Sequence, residues 1–420
     1  MKHLARNILV VVAVCSLSGQ ARADFLVPMD DQQTDHLKAY GLAYWCLQQG
    51  QRLEWLLNYR GGSFMLPEAE ETVRQAALRG VKMVALDGGQ IAQVHAEIAQ
   101  NNMDVVHLET APRMAVYAPP TFQPWDDAVA LALTYAEIPY TRIYDDDVLK
   151  GALKDYDWLH MHHEDFTGQY GKFYPNYAAT DWYQKNQADE EARAHRLGYA
   201  KVWQLKHAVA RTVKQYVAGG GFLFAMCTAT DTYDIAMADG DGDMCDRIYD
   251  GDGFDPQSQN KLDFTQTLAF QNFQLEMNPL TNEFSNIDTS SEAVLRGEPN
   301  DFFTLFDFSA KEDPVPTMLT QDHTGTVHGF LGQTTGFRKS TIKPGVTILA
   351  ETQGTDEAKY LHGNYGKGTF TFYGGHDPED YQHMVGDPPT DLGLHKHSPG
   401  YRLILNNVLF PAAEKKERKT

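Results

Sequence analysis

The fold follows from one stretch, GGGFLFAMCTATD, residues 219–231. Three glycines precede a short apolar run that ends at Cys227, and small residues follow it. This pattern predicts a buried strand that delivers Cys227 to a tight turn at the start of a helix. Free backbone N–H groups and the positive end of the helix dipole meet at such a turn. Because these surroundings lower the pKa of a thiol and stabilise an oxyanion, Cys227 is a candidate nucleophile.

A second transition from strand to loop occurs in TFTFYGGHDPED, residues 369–380. His376, Asp377 and Glu379 follow the apolar strand directly. The carboxyl ends of parallel strands form one edge of an α/β sheet, where ligands bind, so we expect His376 to lie near Cys227. His376 is then the candidate acid or base, and Asp377 or Glu379 the carboxylate that fixes its tautomer. The alternative is that His376 only caps the next helix.

A third polar cluster, HMHHED at residues 160–165, ends another predicted strand. In a strand, His160 and His162 share one face and His163 turns to the other. Histidine and carboxylate side chains here could contact a sugar or a divalent metal. The predicted substrate-binding residues are His160, His162, His163, Glu164, Thr228, Asp231 and Trp125, the indole serving as a wall for a sugar ring.

An Asp-Gly-rich loop begins at Asp239, Asp241 and Asp243. Such oxygen-rich loops resemble calcium sites. Met244 stands where an EF-hand needs glycine, and Asp250 stands where it needs glutamate, so the loop is not an EF-hand. A structural calcium site and a solvated acidic loop are the two interpretations that remain, and no other cofactor is indicated.

The first 23 residues have the pattern of a signal peptide. Lys2 and Arg6 precede an apolar run that is too short to span a membrane, and residues 21–23 (Ala-Arg-Ala) fit a cleavage site. Cleavage after Ala23 changes the formal net charge from −20 to −23. We therefore expect an exported protein, periplasmic or secreted, with no transmembrane segment. Its acidity argues against nucleic-acid binding.

Three cysteines remain after this cleavage, Cys46, Cys227 and Cys245. An odd, small number is not a disulfide framework, even in an oxidising compartment. One pair could still form. A bond between Cys227 and Cys245 would remove the candidate nucleophile, and so would simple burial of Cys227, which is common for free cysteines.

The chain divides into an N-terminal α/β extension (24–111), a larger domain (112–411) and a basic tail (412–420). Within the extension, Leu37 to Leu57 has a helical pattern. Alternating strands and helices in the larger domain predict a parallel sheet with helices on both faces. A loop-rich insertion at about 238–312 interrupts it. The segment around His383, His395 and 386–391 is a candidate lid near His376.

The tract 219–232, the segment 366–380 with its Gly-His-Asp-Pro-Glu core, and the terminal helix 401–411 resemble the ThuA-like (trehalose-utilisation) family. This family is a branch of the class I glutamine amidotransferase-like fold, and the resemblance covers residues 113–235 and 315–411. It implies a flavodoxin-like parallel sheet and an enzyme acting on a carbohydrate or keto-sugar.

The sequence departs from that family at the elbow position, where histidine is common and Cys227 stands instead. A second hypothesis is therefore a cysteine-dependent amide hydrolase or amidotransferase-like enzyme. The amidotransferases have their histidine and glutamate two residues apart, whereas His376 and Glu379 are three apart. A third hypothesis is a non-catalytic ligand-binding or envelope scaffold protein.

The whole chain also resembles exported bacterial proteins labelled asparagine synthetase B. The chemistry of that label needs a cysteine next to the initiator methionine and a Ser-Gly-Gly-x-Asp-Ser loop for ATP. The sequence has neither. Asparagine synthesis is therefore not expected.

Overall fold

The computed structural model describes residues 24–321 and 324–413. The predicted signal peptide and residues 414–420 of the predicted basic tail lie outside the described residues. Within those two ranges, no helix combines the length and apolar character needed to cross a lipid bilayer.

The strands of the described residues are β1 (Asp24–Val27), β2 (Leu53–Leu57), β3 (Ser63–Pro67), β4 (Val84–Leu86), β5 (Asp104–Leu108), β6 (Met114–Tyr117), β7 (Thr141–Ile143), β8 (Trp158–Met161), β9 (Phe222–Met226), β10 (Phe302–Leu305), β11 (Thr326–His328), β12 (Phe337–Arg338), β13 (Thr347–Thr352), β14 (Glu357–Tyr365) and β15 (Gly368–Tyr373). The helices are α1 (His36–Gln48), α2 (Glu70–Arg79), α3 (Gly88–Gln100), α4 (Ala128–Tyr135), α5 (Asp145–Leu149), α6 (Tyr174–Tyr177), α7 (Asp181–Arg196), α8 (Val202–Gly219), α9 (Thr228–Asp239), α10 (Arg247–Asp250), α11 (Ser258–Lys261), α12 (Ser290–Arg296) and α13 (Pro399–Leu409).

The first sheet is antiparallel, with strand order β4-β1-β3-β2-β5. The helix predicted over Leu37 to Leu57 is wrong in its second half, because α1 ends at Gln48 and Leu53–Leu57 forms β2. Gly50 follows the helix with a φ of +74°, a conformation that glycine adopts without strain and that ends the helix. The apolar residues beyond it pack as a strand, in which Trp55 is fully buried.

The second sheet is mixed, with strand order β11-β10-β13-β14-β15-β9-β8-β6-β7 and β12 paired to β14. The strands from β7 to β15 in this order are parallel, as predicted from the alternation of strands and helices. The strands from β14 to β11 are antiparallel and extend the sheet beyond β15. The protein is therefore a mixed α/β protein.

Alternate residues of the central strands face two separate cores. Trp158 of β8 packs on the side of α4 and α13, whereas the next residue, Leu159, packs on the side of α8 and α9. This alternation follows from the two-residue repeat of a strand. Helices thus cover both faces of the parallel strands. The edges formed by the ends of these strands are not part of the two cores.

The closing helix α13 connects the two sheets through a fully buried arginine. Arg402 donates hydrogen bonds to the carbonyl oxygens of Met29, at 3.3 Å, and Gly61, at 2.6 Å. Gly61 has a φ of +76°, and a Cβ atom there would overlap the Met29 carbonyl. Only glycine therefore allows this close approach, which the Arg402 guanidinium holds in place.

Replacing Arg402 with alanine should lower the free energy of unfolding by about 3 kcal/mol, because two buried carbonyl oxygens lose a charged donor and a cavity forms. Urea denaturation measures this change. Arg74→Ala is the matched control, since Arg74 is exposed and bonds only to Glu71 on its own helix. Equal stability of the two variants would contradict a connecting role for Arg402.

Candidate functional site

The carboxyl ends of β6, β8, β9 and β15 form one edge of the sheet, and each is followed by polar residues. These strands are neighbours in the order β6-β8-β9-β15. The residues that follow them include Asp126 and Asp127 after β6, His162 and His163 after β8, Cys227 after β9 and His376 after β15.

Asp127 is a buried carboxylate that binds two histidines. It caps α4, accepting hydrogen bonds from the backbone N–H groups of Val129 and Ala130 at 2.8 and 3.0 Å. The same oxygen lies 3.2 Å from His160 Nε2 and 3.4 Å from His162 Nδ1. Burial opposes ionisation of Asp127, but the two histidines outweigh it and hold its pKa well below the usual value.

His160 supports this arrangement from a fully buried position. Its Nδ1 lies 3.1 Å from the carbonyl oxygen of Phe224, and its Nε2 faces Asp127. Both ring nitrogens thus face protein acceptors, and the substrate contact at His160 stays a prediction.

His162, His163 and His376 form a cluster of three imidazoles. The ring centroid of His162 lies 4.3 Å from that of His163 and 4.6 Å from that of His376, and the latter two are 4.9 Å apart. His162 Nε2, His163 Nε2 and His376 Nδ1 are buried atoms without a hydrogen-bond partner among the described residues. The structure thus brings His376 to the predicted His162-His163 cluster.

Burial keeps two of these rings neutral at pH 7. It lowers the pKa of His162 to about 4, although Asp127 opposes the shift. Burial also lowers the pKa of His376 well below its usual value, and His162, His163 and His383 add to this effect. A neutral imidazole has one nitrogen with a free lone pair.

His383 joins the loop after β15 to the loop after β6. Its Nδ1 lies 2.9 Å from Asp380 and its Nε2 lies 2.9 Å from Asp126. The hydrogen bond to Asp126, together with that to Asp380, raises the pKa of His383 to about 9, although burial opposes the shift. The ring is stacked on that of His376, with centroids 4.2 Å apart. The candidate lid segment thus begins against the histidine cluster.

Cys227 adopts the conformation of a strand-to-helix elbow, with φ 49° and ψ −138°, directly before α9. The thiol is nevertheless buried, and burial raises its pKa, against the effect of a hydrogen bond from the backbone N–H of Gln333 at 3.3 Å. Within residues 24–321 and 324–413, no hydrogen bond joins Cys227 to His376. Cys227, Cys46 and Cys245 are all free thiols, so the alternative of a Cys227–Cys245 disulfide is wrong.

The segment around Gln333 covers the elbow. The Gln333 side chain accepts a hydrogen bond from the Thr228 hydroxyl at 2.7 Å and donates one to the carbonyl oxygen of Gly171. Asp231 is buried and accepts a hydrogen bond from the Thr334 hydroxyl at 2.8 Å. The predicted substrate residues Thr228 and Asp231 therefore hold this covering segment in the structure described.

The two predicted orienting carboxylates do not hold His376. Asp377 accepts hydrogen bonds from the hydroxyls of Tyr401 and Thr390, each at 2.8 Å. Glu379 lies 2.8 Å from His395 Nδ1. The predicted triad is thus not assembled, because both carboxylates have other partners and His376 Nδ1 has none.

Glu164 belongs to a network of charged and phenolic side chains centred on Lys206. It accepts a hydrogen bond from the Tyr144 hydroxyl at 3.1 Å, and that hydroxyl accepts one from Lys206 at 2.8 Å. Lys206 also pairs with Asp145 and Glu190, each at 3.1 Å. Burial raises the pKa of Glu164 to about 8, and the Lys206 charge opposes this shift.

Trp125 lies in a short turn of 3-10 helix, Pro124–Asp126, and its side chain is largely exposed. Trp125 directly precedes Asp126 and Asp127, the two carboxylates at the carboxyl edge. Its role as the wall for a sugar ring remains a prediction.

The acidic loop does not bring its three predicted ligands together. Asp239 is buried, and neither of its carboxylate oxygens has a hydrogen-bond partner among the described residues. Asp241 is fully exposed and lies 3.7 Å from Arg211. Asp250, not Asp241, lies close to Asp243. The calcium prediction therefore fails for Asp241 and remains a prediction for Asp239 and Asp243.

Sequence reasoning missed Asp126 and Asp127. The local signal was available, since an aspartate directly before the helix that follows a strand is a common N-cap. What the sequence did not show is the contact of Asp127 with His160 and His162, more than 30 residues further along the chain.

Comparison with known proteins leaves the family open. No protein-family model matches the chain, and no curated protein matches it in sequence. Two similar solved structures are the cytoplasmic proteins STM3548 and STM1381 of Salmonella typhimurium. The first is 10% identical with a TM-score of 0.33, covering 74% of this chain and 91% of that one. The second is 11% identical with a TM-score of 0.32, covering 72% of this chain and 100% of that one.

A GH42 β-galactosidase, Gan42B, is 10% identical over 64% of this chain and 28% of its own, with a TM-score of 0.25. Similarity at this level carries no argument about function.

Cys227 should react very slowly with iodoacetamide in the folded protein at pH 7.5, because its thiol is buried and its pKa is raised. Mass spectrometry after timed labelling measures the rate, with the urea-unfolded protein as the reference. Gln333→Ala should speed labelling, since it removes the two side-chain contacts that hold the cover. Rapid labelling of the folded wild type would contradict this account.

Asp239 should make the protein less stable as the pH rises from about 4 to 7. Burial, together with Asp243 and Asp255, raises the pKa of Asp239 to about 7, so the folded state binds a proton that the unfolded state has already released. In the presence of a chelator, Asp239→Asn should therefore raise the melting temperature at pH 8 and leave it unchanged near pH 4.

The matched control is Asp241→Asn, because Asp241 is fully exposed. Added calcium should stabilise the wild type and not Asp239→Asn if Asp239 binds the ion. The same pH dependence in wild type and Asp239→Asn would show that Asp239 does not titrate in this way.

Proposed function

We propose that the chain is an exported enzyme of the ThuA-like kind that acts on a carbohydrate or keto-sugar at the carboxyl edge of its parallel strands. The observation that carries the proposal is the cluster of His162, His163 and His376, whose buried ring nitrogens lack protein partners. Buried polar atoms are nearly always hydrogen-bonded, so several unpartnered nitrogens at one place support a site that binds a polar ligand, an ion or ordered water.

The position of the cluster supports the proposal. From β7 to β15 the parallel strands follow the spatial order β7-β6-β8-β9-β15, which is the order of flavodoxin-like folds, 2-1-3-4-5. In such sheets ligands bind beyond the carboxyl ends of the strands, where the direction of winding changes. Here that point lies between β6 and β8. Asp127 follows one of these strands and His162 follows the other.

The residues at this edge suit a ligand rich in hydroxyl groups. The imidazole nitrogens of His162 and His376 that lack protein partners can bind a polar ligand at this edge. His383 stacks behind His376 and limits its rotation. The exposed indole of Trp125 follows β6 and can cover the apolar face of a sugar ring. In this proposal Cys227 is a buried residue beneath the site.

A cysteine-dependent amide hydrolase is the second candidate, and one observation favours it. Cys227 has a positive φ, which is uncommon for a residue with a side chain and is often found at functional sites. This function requires the segment around Gln333 to move away from the thiol. The non-catalytic scaffold is the third candidate.

The test is turnover and binding of a panel of disaccharides and keto-sugars by the purified full chain, followed by NMR. We expect at least one substrate, and a loss of turnover of about 100-fold or more in His376→Gln and His162→Gln, since each removes one imidazole of the cluster that carries the proposal. His95→Gln is the matched control, because His95 is a partly exposed histidine that pairs with Glu54 in the first sheet.

Cys227→Ala should keep most of the activity. If Cys227→Ala abolishes turnover and the histidine variants keep it, the cysteine hydrolase replaces this proposal. If no compound of the panel is bound or converted, the proposal of a sugar-processing enzyme is wrong.

A further inference from the structure

Three groups of metal-ligating side chains at the carboxyl edge are compared by whether their ligand atoms already have hydrogen-bond partners in the protein. The groups are Asp127 with His160 and His162, Asp126 with His376 and His383, and His162 with His163 and His376. Within each group, one ligand atom of each residue lies within 4.8 Å of the others.

In each of the first two groups a carboxylate and one histidine already partner each other. Asp127 faces His160 at 3.2 Å and accepts two backbone hydrogen bonds besides. Asp126 faces His383 at 2.9 Å. In both groups carboxylate and imidazole partner one another, so a metal would have to displace hydrogen bonds that already exist.

The third group is different, because it holds imidazoles alone. His162 Nε2, His163 Nε2 and His376 Nδ1 are buried and have no hydrogen-bond partner among the described residues. A buried polar atom left without a partner costs about 1–3 kcal/mol. One ligand atom of each residue lies within 4.8 Å of the others, so a cation bound among the three rings could supply partners for these nitrogens.

We propose that His162, His163 and His376 bind one divalent transition-metal ion, zinc in the first place, and leave a fourth position for water or a substrate oxygen. Three histidines with an open position are a known form of catalytic zinc site. Imidazole donors without a carboxylate do not suit calcium or magnesium. This zinc site rests on the proposed function only in that both are placed at the same histidine cluster.

The chain geometry fits this ligand set. Tetrahedral zinc with Zn–N bonds of about 2.1 Å places its ligand atoms about 3.4 Å apart. Side-chain rotation can close the group from its present spacing of up to 4.8 Å. His162 and His163 are adjacent residues after β8, and His376 follows β15, with ring centroids 4.6 and 4.9 Å from those of His162 and His163.

The surrounding residues supply the outer layer that such sites need. Asp127 lies 3.4 Å from His162 Nδ1, which directs the opposite nitrogen, Nε2, toward the other two rings. Asp126 is not part of this layer, because it lies 4.0 Å from His163 Nε2, the proposed ligand atom itself. A carboxylate behind a ligating histidine fixes its tautomer and strengthens metal binding.

The experiment measures zinc binding by the purified full chain after removal of bound metal with a chelator. Isothermal titration calorimetry gives the stoichiometry and affinity for Zn²⁺ alone, and Co²⁺ substitution gives the visible spectrum of the site. We expect one ion per chain and a tetrahedral or five-coordinate Co²⁺ spectrum. His163→Gln and His376→Gln should each weaken zinc binding by about 100-fold or more, and Asp127→Asn by about 10- to 100-fold.

His383→Gln is the control, because it changes the neighbouring group of Asp126, His376 and His383 without removing a proposed zinc ligand. It should weaken zinc binding less than tenfold. Circular dichroism and melting temperatures of the metal-free variants check that each is folded, and the partly exposed His163 is the position best placed to tolerate change.

Absence of stoichiometric zinc overturns the inference, and so does binding that survives His163→Gln but is lost in His383→Gln. Zinc binding without sugar turnover would leave this site in place and refute the proposed function. Sugar turnover by a protein that binds no stoichiometric zinc would refute this site and leave the proposed function in place.

Discussion

The buried carboxylate of Asp127 is the interaction on which the carboxyl edge depends. Taking a carboxylate out of water costs several kcal/mol, and the cost is recovered only where good partners surround it. One of its oxygens accepts the N–H groups of Val129 and Ala130 and also faces His160 and His162. A single atom thus fixes the start of α4 relative to the end of β8. The position of the histidine cluster therefore depends on that oxygen, through its contact with His162.

Cys227 has the strained backbone of an elbow nucleophile, as its sequence suggests, but its surroundings in the structure are not those of a nucleophile. Its positive φ and its place before α9 are those of an elbow nucleophile. The chain nevertheless places the backbone N–H of Gln333 on the thiol, which is buried. The chemistry available to the protein in this state therefore lies with the imidazoles that follow the neighbouring strands.

Local patterns predicted much of the fold, because they depend on neighbouring residues. The tract 219–231 forms the predicted strand, turn and helix, and the polar residues predicted at strand ends, His162, His163 and His376 among them, lie together at one edge. Contacts between distant segments were not predictable in this way. Two examples are the hydrogen bond between Gln333 and Thr228 and the hydrogen bond from Tyr401 to Asp377. Both depend on the packing of segments that are far apart in the sequence. The strand Leu53–Leu57 was missed because a run of leucines suits a helix equally well.

The contact of Arg402 with Met29 and Gly61 has a consequence for the order of folding. It joins residues more than 340 positions apart, so the first sheet to leave the ribosome meets its docking partner only when α13 has been made. Contacts of such long separation form slowly. Until then the carbonyl groups that Arg402 will bind remain open, and a partly folded chain with an undocked first sheet is the form most exposed to proteases and aggregation.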